Sequence, residues 1–390
     1  MKYDLGMQMT GKPSKTILEQ GKWRLLQEIG AVLSLAMIGI LFAVQLGFLM
    51  KPRMDFYNEL WAPARLLVNG ASPYDTSSLG TNLPPAWFPM VIGFFFPVGW
   101  LPEKTALQAW FVFNIVELCT ILWIAQDKRR SIVNSVLLGI LAFFFPPTLN
   151  HFHLGQISIS ITLFLLLAFE FSRNKRHWLA SFFFALALSK PHLAALAGIG
   201  LSYLYYQDGR LRGMLTFWGR TLILALALCI PLFIAHPGWI PDAIDSMTQN
   251  PVWSYPSLFV LFRRYLDAWG IIPWGITSIF VLWLVYLLWK RQTPIRAYYW
   301  SLALAPLVSP YVGSWDFVIV LPMLGLTFAS IDWKRKILLV VFYALAWMGM
   351  AAVQRLEVSH NHYFWWVPLW FILLSTVLMY WKGTTKTGFE

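Results

Sequence analysis

The chain has 390 residues, of which 58% are apolar and 12% charged, and its mean hydropathy is +0.59. Soluble globular domains carry about 25% charged residues, so this composition excludes an ordinary soluble protein. The net charge of +12 comes from Lys and Arg clusters between apolar runs, a pattern of cytoplasmic loops that does not favour nucleic-acid binding. The sequence therefore predicts an all-α polytopic membrane protein.

Residues 1–28 are polar and basic, and we expect them to form a cytoplasmic tail. A helix that crosses a membrane needs about 20 apolar residues. About twelve segments approach this length: 29–50, 104–126, 131–148, 155–172, 176–189, 191–206, 214–235, 270–289, 297–312, 315–331, 336–354 and 362–381. They define a single transmembrane domain over residues 29–381, followed by a second cytoplasmic tail at residues 382–390.

The segment 84–100 is apolar, but its prolines make one straight spanning helix unfavourable. If it does not cross the membrane, the short basic loops between the other spans all lie on one side. The positive-inside rule makes that side cytoplasmic. We therefore expect 84–100 to be short or re-entrant, and both termini of this plasma-membrane protein to lie in the cytoplasm.

This orientation gathers polar residues on the extracytoplasmic face, including six of the seven histidines. The first outer loop, residues 51–83, contains Asp55 and Glu59. Because these acids are four residues apart, a helix would place them on one face. The opposite face is apolar, which suits a helix lying in the membrane interface, where the two acids could equally be a solvated face. A partly desolvated carboxylate there would suit a general base.

Lys190 lies between two apolar runs and is followed by Pro191, so helix termini should meet beside it. A lysine at such a position is a natural phosphate site, although its ammonium group could instead simply reach the interface. His192 could assist it. Arg263 and Arg264, in a later outer loop, could bind a phosphate or lipid headgroups.

Two histidine pairs, His151 with His153 and His360 with His362, are each spaced by two residues. This spacing is weak for a metal site, so we expect neither a metal nor a cofactor. The histidines remain candidates as neutral donors or phosphate ligands. Asp316, behind Trp315, could bind substrate or simply be the acid at a helix N-terminus.

Several short motifs follow one another between about residues 55 and 320. They are Asp55-Phe56, Ala64-Arg65-Leu66-Leu67, Gly70, Ser72-Pro73-Tyr74-Asp75, Leu83-Pro84-Pro85 with Pro97 and Leu101-Pro102, Gly155-Gln156-Ile157-Ser158, Ser189-Lys190-Pro191, and Ser309-Pro310-Tyr311 with Trp315-Asp316. In this order they resemble glycosyltransferase family 87 (GT87) of the GT-C superfamily, which includes polyprenol-phosphate-mannose-dependent mannosyltransferases. Leu83 and Ser158 depart from the pattern, which has an aromatic residue and often Asn there.

The resemblance implies a GT-C-type fold and an inverting transfer at the extracytoplasmic face. The donor would be a polyprenyl-phosphate sugar, carrying mannose or another hexose or pentose, and the acceptor a lipid or a glycan. Asp55 would be the general base. The donor phosphate would be bound by Lys190, His192, Arg263, Arg264 and His360. The other predicted substrate-binding residues are Glu59, Tyr74, His151, His153, Gln156, Trp315, Asp316 and His362.

Two further classes of protein remain open. A transporter or flippase of lipid-linked sugars would place ionisable residues near the bilayer centre and often has inverted repeats. Here such residues cluster at the ends of spans, with Glu117, Glu170 and Arg220 as the main exceptions, and no repeat is visible. A non-catalytic assembly subunit could keep the same fold. We therefore favour a membrane glycosyltransferase whose partners are its donor, its acceptor and membrane lipids.

Overall fold

The computed structural model describes residues 54–81, 85–249, 255–355 and 358–380, together with a few isolated positions between 29 and 40. For residues 358–360 only the backbone is described. The predicted cytoplasmic tails at 1–28 and 382–390, and most of the predicted span at 29–50, lie outside these ranges.

All regular structure in the described ranges is helical. The α-helices are α1 (Ala62–Val68), α2 (Pro89–Phe95), α3 (Glu103–Ala125), α4 (Ile132–Phe143), α5 (Pro146–Leu154), α6 (Ser158–Arg173), α7 (His177–Ala187), α8 (Pro191–Leu228), α9 (Ile230–Ala235), α10 (Trp239–Gln249), α11 (Leu258–Leu266), α12 (Ile271–Arg291), α13 (Pro294–Val308), α14 (Leu321–Ser330), α15 (Trp333–Gln354) and α16 (Trp366–Tyr380). A π-helical segment, Phe56–Trp61, precedes α1, and 3₁₀ segments include Phe96–Trp100 and Ser314–Val320.

The bundle is built around helices that are mostly apolar. The helices α6, α13 and α14 and the 3₁₀ segment Ser314–Val320 are almost completely buried, as expected for helices with few charged residues. Helix α6 packs against α3 and α7, while α13 packs against α8, α12 and α14. Ser314–Val320 contacts α5, α6 and α13, so it lies at the centre of the bundle.

Within the part of the chain that the structure describes, five helical stretches are long and apolar enough to cross a membrane: Glu103–Ala125, Pro191–Ala235, Leu258–Arg291, Trp333–Gln354 and Asn361–Tyr380. The pair α4 and α5, bent by 65°, would add a sixth. Large apolar side chains stay exposed on α8, α12 and α15, including Ile223, Ile279 and Met348. So much exposed apolar surface suits lipid, and the protein is a helical membrane protein. The number of about twelve spans stays a prediction.

The longest helix, α8, is divided by its backbone. Gly209 and Arg210 have non-helical dihedral angles, and Arg210 has a positive φ of 55°, so two helices meet there. This break falls between the predicted spans 191–206 and 214–235, where the sequence has the basic residues Arg210 and Arg212.

Residues 54–68, within the predicted first outer loop, form a helix, which we call the first-loop helix. It is buried on several faces, since Phe56, Ala62 and Ala64 point in different directions around the helix and are at most 1% exposed. The 3₁₀ segment Phe96–Trp100 packs against it so closely that a side chain on Gly99 would collide with the Ala64 carbonyl. Together, α2 and this 3₁₀ segment are too short to span a membrane, and they support the first-loop helix.

Candidate active site

A cavity of about 1030 Å³ lies where the first-loop helix, α5, the start of α8, Ser314–Val320 and α15 meet. The structure thus brings together side chains that are far apart in the sequence. The predicted site residues that line it are Asp55, Glu59, His153, Gln156, Lys190, His192, Trp315 and Asp316.

Asp55 lies at the start of the first-loop helix and is half-buried at the cavity wall. Its Oδ2 accepts a hydrogen bond of 2.5 Å from Nε2 of Gln156. Desolvation raises the pKa of Asp55, while the bond from Gln156 and the charge of Lys190 oppose that rise. A carboxylate tuned in this direction is better able to accept a proton from a hydroxyl group.

Lys190 is the N-cap residue of α8, and Pro191 occupies the first helical position. Its buried ammonium group donates three hydrogen bonds, to Oδ1 of Asp316 at 2.7 Å and to Gln156 Oε1 and Ser158 Oγ at 3.0 Å each. Since an ammonium group has three N–H bonds, all of them are used within the protein. Its positive charge is paired with Asp316, which lowers the cost of burying both groups.

Asp316 reaches this ion pair from the segment Ser314–Val320. Its Oδ1 accepts a second hydrogen bond, of 2.5 Å, from the Ser158 hydroxyl, and its Oδ2 accepts the Gly313 N–H at 2.8 Å. The bond from Gly313 caps the 3₁₀ segment. Asp316 therefore has the capping role that the sequence left open, in addition to its place at the cavity wall.

His192 lies two residues beyond Lys190, and its ring packs on Tyr311 with the ring centroids 4.2 Å apart. Both ring nitrogens are buried, and neither has a hydrogen-bond partner within the described residues. Oδ2 of Asp316 is 3.7 Å from Nε2, which is too long for a hydrogen bond. Buried polar atoms normally have a partner, so His192 is a candidate for binding a ligand in the cavity.

Glu59 lines the same cavity, but the backbone holds its carboxyl group. Oε2 accepts the N–H groups of Ala86 at 2.6 Å and Trp87 at 3.1 Å. Desolvation raises the pKa of Glu59 to about 8, with a smaller contribution from the charge of Asp55 and opposition from the two backbone bonds. These two hydrogen bonds from residues 86 and 87 to Glu59 therefore hold part of the cavity wall against the first-loop helix.

Two predicted site residues are buried outside the cavity wall. The Tyr74 hydroxyl donates a hydrogen bond of 3.3 Å to the Trp87 carbonyl, and the ring stacks on Trp239. Nε2 of His151 lies 2.9 Å from Oδ1 of Asn114. Because neither Tyr74 nor His151 lines the cavity, their contacts are with the protein.

The remaining predicted residues are not brought to the cavity by the described structure. Arg263 and Arg264 are exposed on α11, and neither lines the cavity. His362 is fully buried and is also absent from the lining. The His360 side chain lies outside the described residues. In the ranges that the structure describes, no three His, Cys, Asp or Glu residues form a group that could hold a metal ion.

The sequence missed several residues of the cavity wall. Nδ2 of Asn150 donates a hydrogen bond of 2.8 Å to the Ser314 hydroxyl, and both residues line the cavity. Others are Tyr255, Tyr311, Trp347, Met350, Gln354, Asn361 and Phe364. Ser158, which binds Lys190 beside the cavity, departs from the GT87 pattern, and this departure could have marked it in the sequence. Nothing in the sequence marked the cavity residues of α15, because their spacing is that of any apolar helix.

The arrangement combines a carboxylate suited to accept a proton, a buried ammonium group and an imidazole that has no hydrogen-bond partner among the described residues, inside a helical membrane protein. A search among curated proteins found no match for the chain. Residues 88–310, more than half of the chain, match the sequence profile of glycosyltransferase family 87. The matched region contains Gln156, Lys190 and His192. The chain therefore belongs to glycosyltransferase family 87 and is a membrane glycosyltransferase.

Proposed function

We propose that the protein transfers a sugar from a polyprenyl-phosphate donor to a lipid or glycan acceptor, with inversion at the anomeric carbon and Asp55 as the general base. The position of Asp55 carries this proposal. It lines a large cavity in a membrane glycosyltransferase, and only its Oδ2 receives a hydrogen bond from the residues that the structure describes.

In the proposed step, an acceptor hydroxyl oxygen attacks the anomeric carbon of the donor sugar. A C–O bond to the acceptor forms while the bond from that carbon to the phosphate oxygen breaks, and its electron pair leaves with the polyprenyl phosphate. The hydroxyl proton passes to Oδ1 of Asp55. A base in this role contributes about 10²–10⁴-fold to the rate.

The donor phosphate would bind beside α8. Because the three N–H bonds of Lys190 are already used, we assign it an electrostatic role on the departing phosphate and assign direct contact to His192. Phosphate binding by Arg263, Arg264 and His360 stays a prediction. Glu59, His153, Trp315 and Asp316 line the cavity, so contact between them and the sugars also stays a prediction.

One side of the cavity suits the apolar chain of such a donor. Besides Asn150, His153 and Gln354, α5 and α15 contribute a group of apolar lining residues: Pro146, Pro147, Leu149, Trp347, Met350 and Ala351. At this end Nε1 of Trp347 donates to the Phe144 carbonyl at the bend between α4 and α5, at 3.1 Å. The Trp347 and Phe144 side chains are 41% and 43% exposed. An apolar stretch of wall that ends at a partly exposed side chain, Trp347, supports a lipid-linked donor.

We further propose that the cavity opens on the extracytoplasmic side of the plasma membrane, with about twelve spans and both termini in the cytoplasm. The support is the distribution of basic residues between the two sets of loops. In this orientation the donor would enter from the outer leaflet.

The test is a transfer assay with the full chain in liposomes, using radiolabelled polyprenyl-phosphate mannose and a polyprenyl-phosphate pentose with an envelope glycolipid extract as acceptor. The wild type should transfer label from one of these donors. Asp55→Asn should lower the rate by about 10²–10⁴-fold because the base is lost, while binding of the donor stays unchanged. Binding is measured separately by the shift in melting temperature.

Asp75→Asn is the matched control. Asp75 is in the same outer loop, but it is exposed, its carboxylate accepts the Ser77 hydroxyl at 2.6 Å, and it does not line the cavity. We expect wild-type transfer from this variant. Full activity of Asp55→Asn would overturn the assignment of the base, and no transfer by the wild type from either donor would overturn the donor class.

A further inference from the structure

The amide of Gln156 lies between two groups of opposite charge. Its Oε1 accepts a hydrogen bond from Lys190 at 3.0 Å, and its Nε2 donates one to Asp55 at 2.5 Å. Lysine can only donate hydrogen bonds, so the amide oxygen must be the atom that meets Lys190. The amide therefore has one permitted orientation, in which the N–H group points at the Asp55 carboxylate.

The backbone fixes Gln156 before any ligand arrives. Helix α5 ends at Leu154, and Gly155 adopts the left-handed conformation with φ of 73°. The N–H groups of Gly155 and Gln156 both bond to the His151 carbonyl, at 2.9 and 3.1 Å, which closes the helix end. Trp110 also donates to the Gly155 carbonyl at 3.1 Å. Gln156 itself is buried, with an exposed fraction of 5%.

Lys190, which anchors the other end of the Gln156 amide, is equally constrained. Lys190 is held by Asp316 and Ser158 as well as by Gln156, and Asp316 is held in turn by the Gly313 backbone. The positive charge therefore cannot move toward Asp55 without breaking buried hydrogen bonds. The amide transmits part of the effect of this charge to Asp55. Its hydrogen bond to the ammonium group polarises the amide, which strengthens the N–H donor that bonds to Asp55.

We infer that Gln156 is a positioning residue, which fixes one oxygen of Asp55 through an amide anchored on Lys190 and acts on the reaction through Asp55 rather than through the substrate. This inference rests on the proposed function, in which Asp55 is the base. It replaces the substrate contact that the sequence predicted for Gln156. With Oδ2 held by the amide, Oδ1 is the oxygen left to receive the proton.

A measurable consequence is the titration of Asp55. The bond from Gln156 lowers the pKa of Asp55 against desolvation, so losing it should raise that pKa. The charged and titratable groups around Asp55 are Glu59 on its own helix, His153 on α5, Lys190 and His192 on α8, Tyr255 and Tyr311 on the later loops, and Asp316 on Ser314–Val320. Gln156→Leu removes one neutral group and leaves all of these in place.

The experiment labels carboxyl groups with dicyclohexylcarbodiimide, which reacts with protonated acids in apolar surroundings. The full chain is labelled in detergent micelles across a pH series, and mass spectrometry of fragments separates Asp55 from Glu59. In Gln156→Leu the midpoint for Asp55 should move up by about one to two pH units, as expected for the loss of a hydrogen bond to a charged group. The near-isosteric Gln156→Glu, which adds a negative charge, should move it further.

Gln126→Leu is the matched control. Gln126 is also a fully buried glutamine, donating to Ser135 at 2.7 Å and accepting the Ser131 N–H at 3.2 Å, but it does not line the cavity. Its loss should leave the Asp55 midpoint unchanged. In transfer assays, Gln156→Leu should lower kcat and move the acid limb of the pH profile upward, with the donor KM unchanged.

An unchanged midpoint in both Gln156 variants would overturn the inference, and so would a wild-type Asp55 that does not label at any pH. A raised donor KM with an unmoved acid limb would instead assign Gln156 to substrate binding. Because labelling needs no substrate, the labelling results do not depend on whether the proposed transfer takes place. Full activity of Asp55→Asn would overturn the proposed function whatever the labelling shows.

Discussion

Asp55 and Glu59 stand four residues apart on the first-loop helix and line the same cavity, but their carboxyl groups have different partners. Asp55 is half-buried and, among the described residues, receives one hydrogen bond, from the Gln156 side chain. Glu59 is buried and receives two, from backbone N–H groups of residues 86 and 87. Burial raises the pKa of both acids.

One helical face thus presents two carboxyl groups with different surroundings. The Asp55 carboxylate keeps one oxygen without a hydrogen bond from the described residues, so it can meet a substrate hydroxyl. The Glu59 carboxyl group connects two stretches of chain, and the segment it holds leads to Trp87 and Phe88 in the cavity wall. We therefore expect changes at Asp55 to affect chemistry and changes at Glu59 to affect structure.

The largest expected difference is in activity between two matched amide variants. Asp55→Asn removes the base and should lower the transfer rate by about 10²–10⁴-fold. Glu59→Gln should stay within about tenfold of the wild type, because the amide oxygen can still accept both backbone N–H groups. Both variants are measured with the same donor, acceptor and liposomes. An equal loss in the two variants would show that Glu59 takes part in the reaction.

The next prediction concerns stability. Glu59→Leu leaves the N–H groups of Ala86 and Trp87 without their acceptor, and each buried unsatisfied group costs about 1–3 kcal/mol. The free energy of unfolding should therefore fall by about 2 kcal/mol or more, measured by detergent-induced unfolding in mixed micelles. Asp55→Asn is the control, and its free energy of unfolding should change much less. If Glu59→Leu had the same free energy of unfolding as the wild type, Glu59 would not hold residues 86 and 87 in place.

Much of the fold follows from the sequence for a simple physical reason. Lipid-facing and buried helices of a membrane protein must be apolar along their whole length, so they appear in the sequence as long apolar runs. Helical breaks also leave signals, and Gly209-Arg210 divides α8 between two predicted spans. The number of spans was harder to predict, because buried helices such as α13 are shorter than a membrane is thick.

The site was predictable only where a residue is unusual for its surroundings. Asp55 and Lys190 are charged groups beside apolar runs, and the cavity wall includes both. The sequence did not indicate that Lys190 donates all three of its N–H groups to Gln156, Ser158 and Asp316, because those partners are distant in the chain. Arg263 is also charged and was predicted to bind phosphate, but it is exposed on α11 and does not line the cavity. A charged residue in the sequence does not by itself indicate whether its side chain faces a site.

The smallest effect that separates the two acids is the pH dependence of stability. Burial raises the pKa of Glu59 from 4.5 to about 8, so the folded protein keeps a proton that the unfolded chain releases. The resulting stability is fully present below the unfolded pKa and is lost as pH rises through the folded pKa. From about pH 6 to about pH 7 the free energy of unfolding should fall by about 1.4 kcal/mol, the limit for one proton. Glu59→Gln should remove this slope. Any pH dependence of stability that comes from Asp55 should persist in that variant. A wild-type free energy of unfolding that rises from pH 6 to pH 7 would contradict a protonated Glu59.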